Sequence, residues 1–246
     1  MIEKKVVIIT GASKGIGRAA AALFIEKGYT VYSLSRSICD MAGVNSLICD
    51  ITNSEQLKEA IDKIFAAEKQ INVLINNAGS GSTKMIWDIT LEEWQYNLDN
   101  NLTQFFLMSR EFAKRLIAAN KGGHIVNVLS KASLTTTTKG RACYVTNKTA
   151  QMGLTKQLAV DLTDKGIICN GIMPGTVTSE MSKSSRPGIS EEEREKAYQA
   201  RLKRLPMGRY GEPVEFGKMV AFLASDQCQL AVGAVIDFTG GMMLGF

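Results

Sequence analysis

Short apolar runs alternate with longer amphipathic segments along most of the chain. The first run, Val6 to Thr10, is mostly β-branched, and a segment with the apolar spacing of a helix follows from Ile16 to Lys27. The alternation predicts further strands at Thr30 to Ser35, Ser46 to Ile51, Val73 to Asn76, Ile125 to Ser130, Ile167 to Met173 and Ala234 to Phe238, and further helices at Gln56 to Ala67, Leu91 to Ala119 and Ala142 to Asp164. This βαβ rhythm predicts an α/β fold with a doubly wound, seven-stranded parallel sheet.

Strands as apolar as Val6 to Ile9 favour a sheet that helices cover on both faces. The composition shifts nowhere enough to mark a boundary, so residues 1–246 are interpreted as one domain. In such sheets ligands bind beyond the carboxyl ends of the strands. The least regular segment, 175–211, contains Pro187 and Gly188 and is predicted to be an excursion over the substrate site.

Composition narrows the classes of function. Hydrophobic residues make up 45% and charged residues 22%, as in an ordinary soluble globular protein, and the chain has neither a bilayer-length apolar run nor a signal-like start. We therefore expect a cytoplasmic protein that is not bound to a membrane. The net charge of +5 comes without a long basic tract, which argues against nucleic acid as a partner.

Cysteine and histidine give no sign of a metal site. The five cysteines are an odd number without a Cys-x-x-Cys pair, so reduced thiols are expected rather than disulfides or a zinc site. The only histidine, His124, begins a predicted strand without clustered ligand partners. We expect it to be structural, which leaves no basis for a Ser-His-Asp triad.

Tyr144 and Lys148 stand four residues apart in a predicted helix. This spacing puts both side chains on one helix face, where the lysine ammonium favours the phenolate form of the tyrosine. Such a pair can pass a proton to or from a substrate oxygen. A tyrosine and a lysine one turn apart also occur often without any function, so the pair needs support from other motifs.

A glycine-rich loop supplies that support. Gly11, Gly15 and Gly17 follow the first strand directly and open the first helix. Glycines allow a tight turn and a close backbone approach to a pyrophosphate, and the helix N-terminus offers free N–H groups. The spacing Gly-x3-Gly-x-Gly differs from the common dinucleotide pattern Gly-x-Gly-x-x-Gly.

The ordered motifs resemble the short-chain dehydrogenase/reductase family. The family pattern Thr-Gly-x3-Gly-x-Gly begins here at Thr10, the pattern Asn-Asn-Ala-Gly at Asn76, and Tyr-x3-Lys at Tyr144. With Asn101, Ser130 and Pro174-Gly175, the resemblance covers essentially the whole chain. It implies a Rossmann-like fold and an oxidoreductase that interconverts a carbonyl and a secondary alcohol with NAD(P). It also implies a homotetramer formed through the two long helices and the last strand.

The end of the second predicted strand favours NADP over NAD. An acidic residue there would bond the ribose 2′-hydroxyl of NAD and repel a 2′-phosphate, and Ser35 occupies that place. Arg36 follows it, and Lys14 lies in the glycine loop, so two cations are available for the phosphate. NAD remains the alternative if Arg36 merely faces solvent.

Site residues follow from the resemblance motif by motif. Tyr144 would be the acid/base, Lys148 would bind the nicotinamide ribose, Ser130 would hold the substrate oxygen, and Asn101 would position a proton-relay water. Ser133 is the alternative to Ser130, and Asn97 and Asn100 are alternatives to Asn101. The implied cofactor contacts are Gly11, Ser13, Lys14, Gly15, Ile16, Gly17, Ser35, Arg36, Asp50, Ile51, Asn77, Ala78, Gly79, Tyr144, Lys148, Pro174, Gly175, Val177 and Ser179. Asp50 and Ile51 would flank the adenine, and Val177 would meet the carboxamide.

The substrate stays open at the level of sequence. The pocket would be built from three loops, Ser80 to Trp87, Lys131 to Gly140 and the segment around Met181. A 3-oxoacyl-carrier-protein reductase and a polyol, sugar or steroid dehydrogenase fit equally well. A protein of another class, a sensor that binds NADP without catalysis, is disfavoured because Asn101, Ser130, Tyr144 and Lys148 are all present.

Overall fold

The computed structural model describes residues 4–68, 70–136, 138–178 and 190–244. Within them, the strands are β1 Val6–Thr10, β2 Thr30–Ser35, β3 Val44–Ile48, β4 Val73–Asn76, β5 Gly123–Val128, β6 Ile167–Pro174 and β7 Val235–Phe238. The α-helices are α1 Gly15–Glu26, α2 Ser54–Ala67, α3 Leu91–Leu98, α4 Gln104–Ala118, α5 Ala142–Leu162, α6 Glu191–Leu202 and α7 Pro213–Leu223.

The seven strands form one sheet in the order β3-β2-β1-β4-β5-β6-β7. Every neighbouring pair is parallel, with Val7 opposite Val31 on one side of β1 and opposite Val73 on the other. The predicted doubly wound, Rossmann-like sheet is therefore confirmed. From β1 the chain adds β2 and β3 on one side, and from β4 onward it adds strands on the other side. At such a switch point between β1 and β4 the loops diverge and leave a crevice for ligands.

Helices cover both faces of the sheet. On one face, Leu57 and Ile61 of α2, Phe112 of α4 and Leu162 of α5 join a fully apolar cluster over the strands. On the other face, α1 and α7 pack through residues such as Phe24 and Val220. Because β1 contributes to both clusters, all five of its residues are buried, as expected for a strand between two layers.

The long helix predicted from Leu91 to Ala119 is interrupted. α3 and α4 are separated by a π-helical turn, Asp99–Thr103, that contains Asn101. A π turn widens the helix locally, and such turns are frequent at functional sites. Apolar periodicity did not reveal it, since a single wide turn shifts the apolar face by only one residue.

One other expectation needs adjustment. The segment 175–211 is not irregular throughout, because α6 occupies Glu191–Leu202. Met181, Pro187 and Gly188, which belong to the predicted excursion, lie outside the described residues. The connection from β2 to β3 spans only residues 36–43 and contains no helix, which leaves β3 at an open edge with Ile48 exposed.

Among the helices that the structure describes, none has both the length and the apolar character needed to cross a bilayer. All five cysteines are buried and unpaired.

Candidate active site

The glycine loop joins β1 to α1 in a backbone conformation that depends on glycine. Gly11 and Gly15 have φ angles of +70° and +59°, in the left-handed region. Gly17 is constrained by space instead, because a Cβ there would overlap the Gly11 carbonyl and lie 2.5 Å from Nδ2 of Asn77. The loop thus keeps its main chain exposed at the start of α1, as a pyrophosphate site requires.

The loop after β4 is anchored to the glycine loop. The Thr10 hydroxyl accepts hydrogen bonds from the backbone N–H groups of Asn77 and Ala78, at 2.9 and 3.0 Å. Asn77 Nδ2 donates to the carbonyls of Thr10 and Gly11, both at 3.0 Å. Gln104 Nε2 donates to the Ala78 carbonyl at 2.6 Å, which ties the same loop to α4. The glycine loop and the loop after β4, which are far apart in sequence, therefore form one rigid surface, the floor of the predicted pyrophosphate site.

The predicted phosphate-binding residues lie at the carboxyl edge of β1 and β2. Lys14 and Arg36 are both exposed, and neither pairs with a carboxylate among residues with described positions. The Ser35 hydroxyl donates to the Ser37 carbonyl at 2.5 Å. This turn leaves the two cations available for an anionic ligand.

The remaining cofactor positions follow β3 and β6. Asp50 Oδ1 accepts from the backbone and hydroxyl of Thr52, so Asp50 shapes its own turn, while Ile51 is buried beside it. At the end of β6, a Cβ on Gly175 would lie 2.6 Å from the Thr239 carbonyl. Val177 forms a β-bridge with Gly211 and packs against the apolar cluster of α1 and α7. Ser179 lies outside the described residues.

Ser130 and its alternative Ser133 have different surroundings. Ser133 is buried, and its hydroxyl donates to the Lys148 carbonyl at 2.8 Å, so it holds a short turn, Lys131–Ser133, against α5. Ser130 is only half-buried and precedes this turn, where its Oγ accepts from the Ala132 N–H at 3.2 Å. Its hydroxyl proton remains free to donate to a substrate oxygen. The geometry favours Ser130.

Tyr144 and Lys148 lie on the same face of α5, as their spacing predicts. Lys148 Nζ is 6.0 Å from the centroid of the Tyr144 ring, and the Arg141 guanidinium stacks on that ring at 4.2 Å. Lys148 is buried and donates to the Val128 carbonyl at 2.9 Å and to Gln151 Oε1 at 3.0 Å. Burial lowers the pKa of Lys148 to about 7, because the surroundings disfavour its charged form.

Asn101 is held on all sides in the π turn. Its Oδ1 accepts from the Ser80 N–H at 3.0 Å, and its Nδ2 donates to the Asn97 carbonyl at 2.9 Å. Its main-chain carbonyl accepts from Gln151 Nε2 at 2.9 Å. A relay water at Asn101 would have to share that carbonyl with Gln151. Of the alternatives, Asn97 contributes its carbonyl to the same cluster, whereas Asn100 Nδ2 bonds to the exposed Tyr96 carbonyl.

A nicotinamide dinucleotide fits this edge of the sheet. The glycine loop offers main-chain donors beside a cradle that a Cβ at Gly17 would fill. Lys14 in that loop and Arg36 after β2 form no ion pair with the carboxylates that the structure describes. At the other end of the crevice, Lys148 has used two of its three N–H donors. The third can bind a ribose hydroxyl.

The sequence motifs predicted most of these site residues but not the residues that hold them in place by hydrogen bonds. Thr10, Gln104, Asn147 and Gln151 were not predicted as site residues, although each bonds directly to a motif loop, to the end of α3 or to the π turn. Polar Asn147 and Gln151, four apart on one face of α5, were the available signal. The structure describes no group of histidine, cysteine and carboxylate side chains that would suit a metal ion.

Comparison with known proteins gives matches over nearly the whole chain. Residues 11–243 match a family model described as enoyl-(acyl carrier protein) reductase. The 3-oxoacyl-[acyl-carrier-protein] reductase FabG of Thermotoga maritima is 31% identical, with 99% of each chain covered. Among solved structures, the aldohexose dehydrogenase of Thermoplasma acidophilum superposes with a TM-score of 0.92 at 34% identity, over 99% of this chain and 96% of that one. ElxO with NADP bound has a TM-score of 0.85 at 27% identity, over 98% and 99%.

Proposed function

Since this chain belongs to the short-chain dehydrogenase/reductase family, we propose that it is an NADP(H)-dependent oxidoreductase that interconverts a carbonyl and a secondary alcohol. The observation that carries the proposal is that Lys148 lies beside the Tyr144 ring and bonds to the Val128 carbonyl at the end of β5, two residues before Ser130. One domain, residues 1–246, supplies both the cofactor and the substrate sites. We propose that the described part of segment 175–211, which includes α6, covers the substrate.

The side chains supply the proton chemistry of the reaction. The nicotinamide, when bound, gives or takes a hydride at the carbon of the substrate. During reduction, negative charge grows on the substrate oxygen, where the Ser130 hydroxyl stabilises it by donating a hydrogen bond. The Tyr144 hydroxyl transfers its proton to that oxygen, and the Lys148 ammonium stabilises the resulting phenolate. Oxidation of an alcohol reverses these steps.

Preference for NADP is supported by charge at the end of β2. Arg36 is exposed there, Lys14 is exposed in the glycine loop after β1, and Ser35 stands where an acid would select NAD. A 2′-phosphate carries close to two negative charges, so two cations bind it by charge-assisted hydrogen bonds. ElxO, a structural relative, is known with NADP bound.

Two substrate classes remain candidates because the relatives differ in theirs. The likeness to FabG favours a 3-oxoacyl thioester, and the likeness to the aldohexose dehydrogenase favours a sugar. A screen that follows NADPH oxidation or NADP reduction with acetoacetyl thioesters, aldoses, polyols and steroids separates them. The same screen with NADH and NAD measures cofactor preference.

Replacing Tyr144 with Phe tests the proton role. The variant keeps the ring that Arg141 stacks on but loses the hydroxyl, so turnover should fall at least ~10²-fold while NADPH affinity stays nearly unchanged. Steady-state kinetics and fluorescence titration of NADPH measure the two quantities. Unchanged turnover would refute the acid/base role. Tight NADPH binding by a wild type that turns over no substrate would instead favour the silent sensor.

A homotetramer is supported by apolar side chains on the outer helices. Leu91 of α3, Phe106 of α4 and Val160 of α5 are exposed by 82%, 45% and 75%. Exposed apolar surface of this extent on adjacent helices is typical of a subunit interface. At one edge of the sheet, β7 has a neighbouring strand on one side only. The N–H and C=O groups on its outer side can pair with a second copy of the chain.

A further inference from the structure

Two side-chain amides join α5 to the junction between α3 and α4. Asn147 Nδ2 donates to the Asn97 carbonyl at 3.1 Å, and Gln151 Nε2 donates to the Asn101 carbonyl at 2.9 Å. The donors are four residues apart on α5, and the acceptors are four residues apart on the facing segment. All four residues are buried. This pair of bonds fixes the rotation of α5 against the π turn.

Gln151 also binds the ammonium of Lys148. Its Oε1 accepts from Lys148 Nζ at 3.0 Å, and the other acceptor of that ammonium is the Val128 carbonyl, at 2.9 Å. One carboxamide therefore uses both of its ends, the oxygen for Lys148 and the nitrogen for Asn101. Because Gln151 is fully buried, neither bond competes directly with bulk solvent.

We propose that Gln151 is a positioning residue that fixes the Lys148 ammonium beside Tyr144 and links it to the main-chain carbonyl of Asn101. This inference rests on the proposed oxidoreductase function, because it assigns Lys148 a role in proton transfer. Gln151 is fully buried and so presents no surface to a substrate or cofactor. It acts through Lys148.

A carboxamide and a water differ in what they transmit. A water that links two groups can accept one proton and release another. A carboxamide that accepts at its oxygen and donates from its nitrogen passes a proton only by becoming an imidic acid, which is unfavourable. The bridge therefore orients Lys148 without conducting protons.

The bridge also affects the protonation of Lys148. A buried cation depends on its hydrogen-bond acceptors, and Lys148 has two among the described residues, both uncharged. Tyr144, on the same helix, is the titratable group that faces it, while β5 presents the Val128 carbonyl and α4 the ring of Phe105, 5.6 Å away. Loss of the Gln151 oxygen removes one of the two hydrogen-bond acceptors of the ammonium.

Two substitutions at Gln151 should move the pH profile in opposite directions. Gln151→Leu removes an acceptor, so the alkaline limb of kcat/KM for reduction should shift downward by about one pH unit, with kcat falling ~10-fold. Gln151→Glu places a carboxylate beside the ammonium and should shift the limb upward. Gln157→Leu is the matched control, because Gln157 is exposed on the same helix and bonds only to Asp161. Its profile should match wild type.

Lysine labelled with ¹³C at Cε gives a second reading by NMR that does not need turnover. Lys148→Met assigns the Lys148 signal, and its titration should shift in the same two directions. A merely structural glutamine would lower kcat in both variants without moving either titration, and that result would overturn the proposal. If Gln151→Leu does not fold, Gln151→Glu is sufficient as a test. A Lys148 titration midpoint that is unchanged or lower in Gln151→Glu would then overturn the proposal. Absence of wild-type turnover refutes the proposed function, while the NMR titration still decides the role of Gln151.

Discussion

Gly17 stands where the first turn of α1 passes closest to the glycine loop. A methyl group there would overlap the Gly11 carbonyl, so Gly17→Ala should displace the loop and raise the dissociation constant for NADPH at least ~10-fold. Fluorescence titration measures the constant. Gly153→Ala on α5 is the control, because among the described residues no atom beyond its chain neighbours and the adjacent turns of its own helix backbone lies within 4 Å of a Cβ there. Equal NADPH affinity in both variants would show that the close approach at Gly17 is not needed.

Arg36 carries the predicted selectivity for NADP. Arg36→Asp replaces a charge-assisted contact with repulsion, so the dissociation constant for NADPH should rise at least ~10-fold while that for NADH changes little or falls. Lys121→Asp makes the same charge change before β5, at the opposite edge of the sheet. If Arg36→Asp and wild type bind NADPH equally, Arg36 does not contact the phosphate.

Side chains differ in how far the sequence predicts them. Tyr144, Lys148 and the loop glycines belong to motifs whose residue types and spacing already express the chemistry. Gln151 and Gln104 belong to no such pattern, because their partners are carbonyl groups of distant segments. Those contacts become visible only when the pairing of the strands and the rotation of α5 are known.

At the scale of elements, the amino end of β5 carries a group of charges away from the candidate site. His124 is buried there, with Nε2 4.0 Å from Asp226 Oδ1, and Asp226 is bonded to Lys5. Burial lowers the pKa of His124, an effect that Asp226 opposes and Lys5 reinforces. Because the pKa of His124 is lowered in the folded state, the free energy of unfolding depends on pH.

The direction of this dependence follows from the lowered pKa. As the pH falls below ~6.5, the unfolded chain binds a proton at His124 before the folded chain does, so the free energy of unfolding decreases. One such proton contributes at most ~1.4 kcal/mol per pH unit. Urea unfolding at pH 7.5 and 5.5 should show a smaller change in His124→Asn than in wild type. His124 is the only histidine, so an equal change in both proteins would contradict the prediction.

Elements were predictable where a regular apolar period marks them. All seven strands and the main helices follow that period, with shifts of one or two residues at most ends. The π turn at Asp99–Thr103 was missed because it is stabilised by tertiary contacts such as the bond from Gln151 to Asn101. No bounds were predicted for α6, because its segment is polar nearly throughout and gives no apolar face.

At the scale of the whole molecule, the exposed apolar faces of α3, α4 and α5 should pack between subunits. Val160→Glu places a charge on that surface and should reduce the mass in solution from a tetramer to dimers or monomers. Size-exclusion chromatography with light scattering measures it. Ile48→Glu is the control, since Ile48 is 67% exposed on β3, the edge strand at the side of the sheet opposite β7. A wild-type monomer, or dissociation in Ile48→Glu alone, would exclude this interface.

The bonds from Asn77 to Thr10 and Gly11 also bear on how the protein reaches its native state. They connect segments 66 and 67 residues apart in sequence, and they form only after β1 and β4 have come together as parallel neighbours. Parallel pairings over such distances are slow, because the entropy of closing the loop is lost before the contacts stabilise it. A partly folded chain with β1 and α1 in place would still lack the floor of the pyrophosphate site. The gain of NADPH fluorescence during refolding should therefore follow the last, slowest phase, which makes the cofactor a reporter of completed assembly.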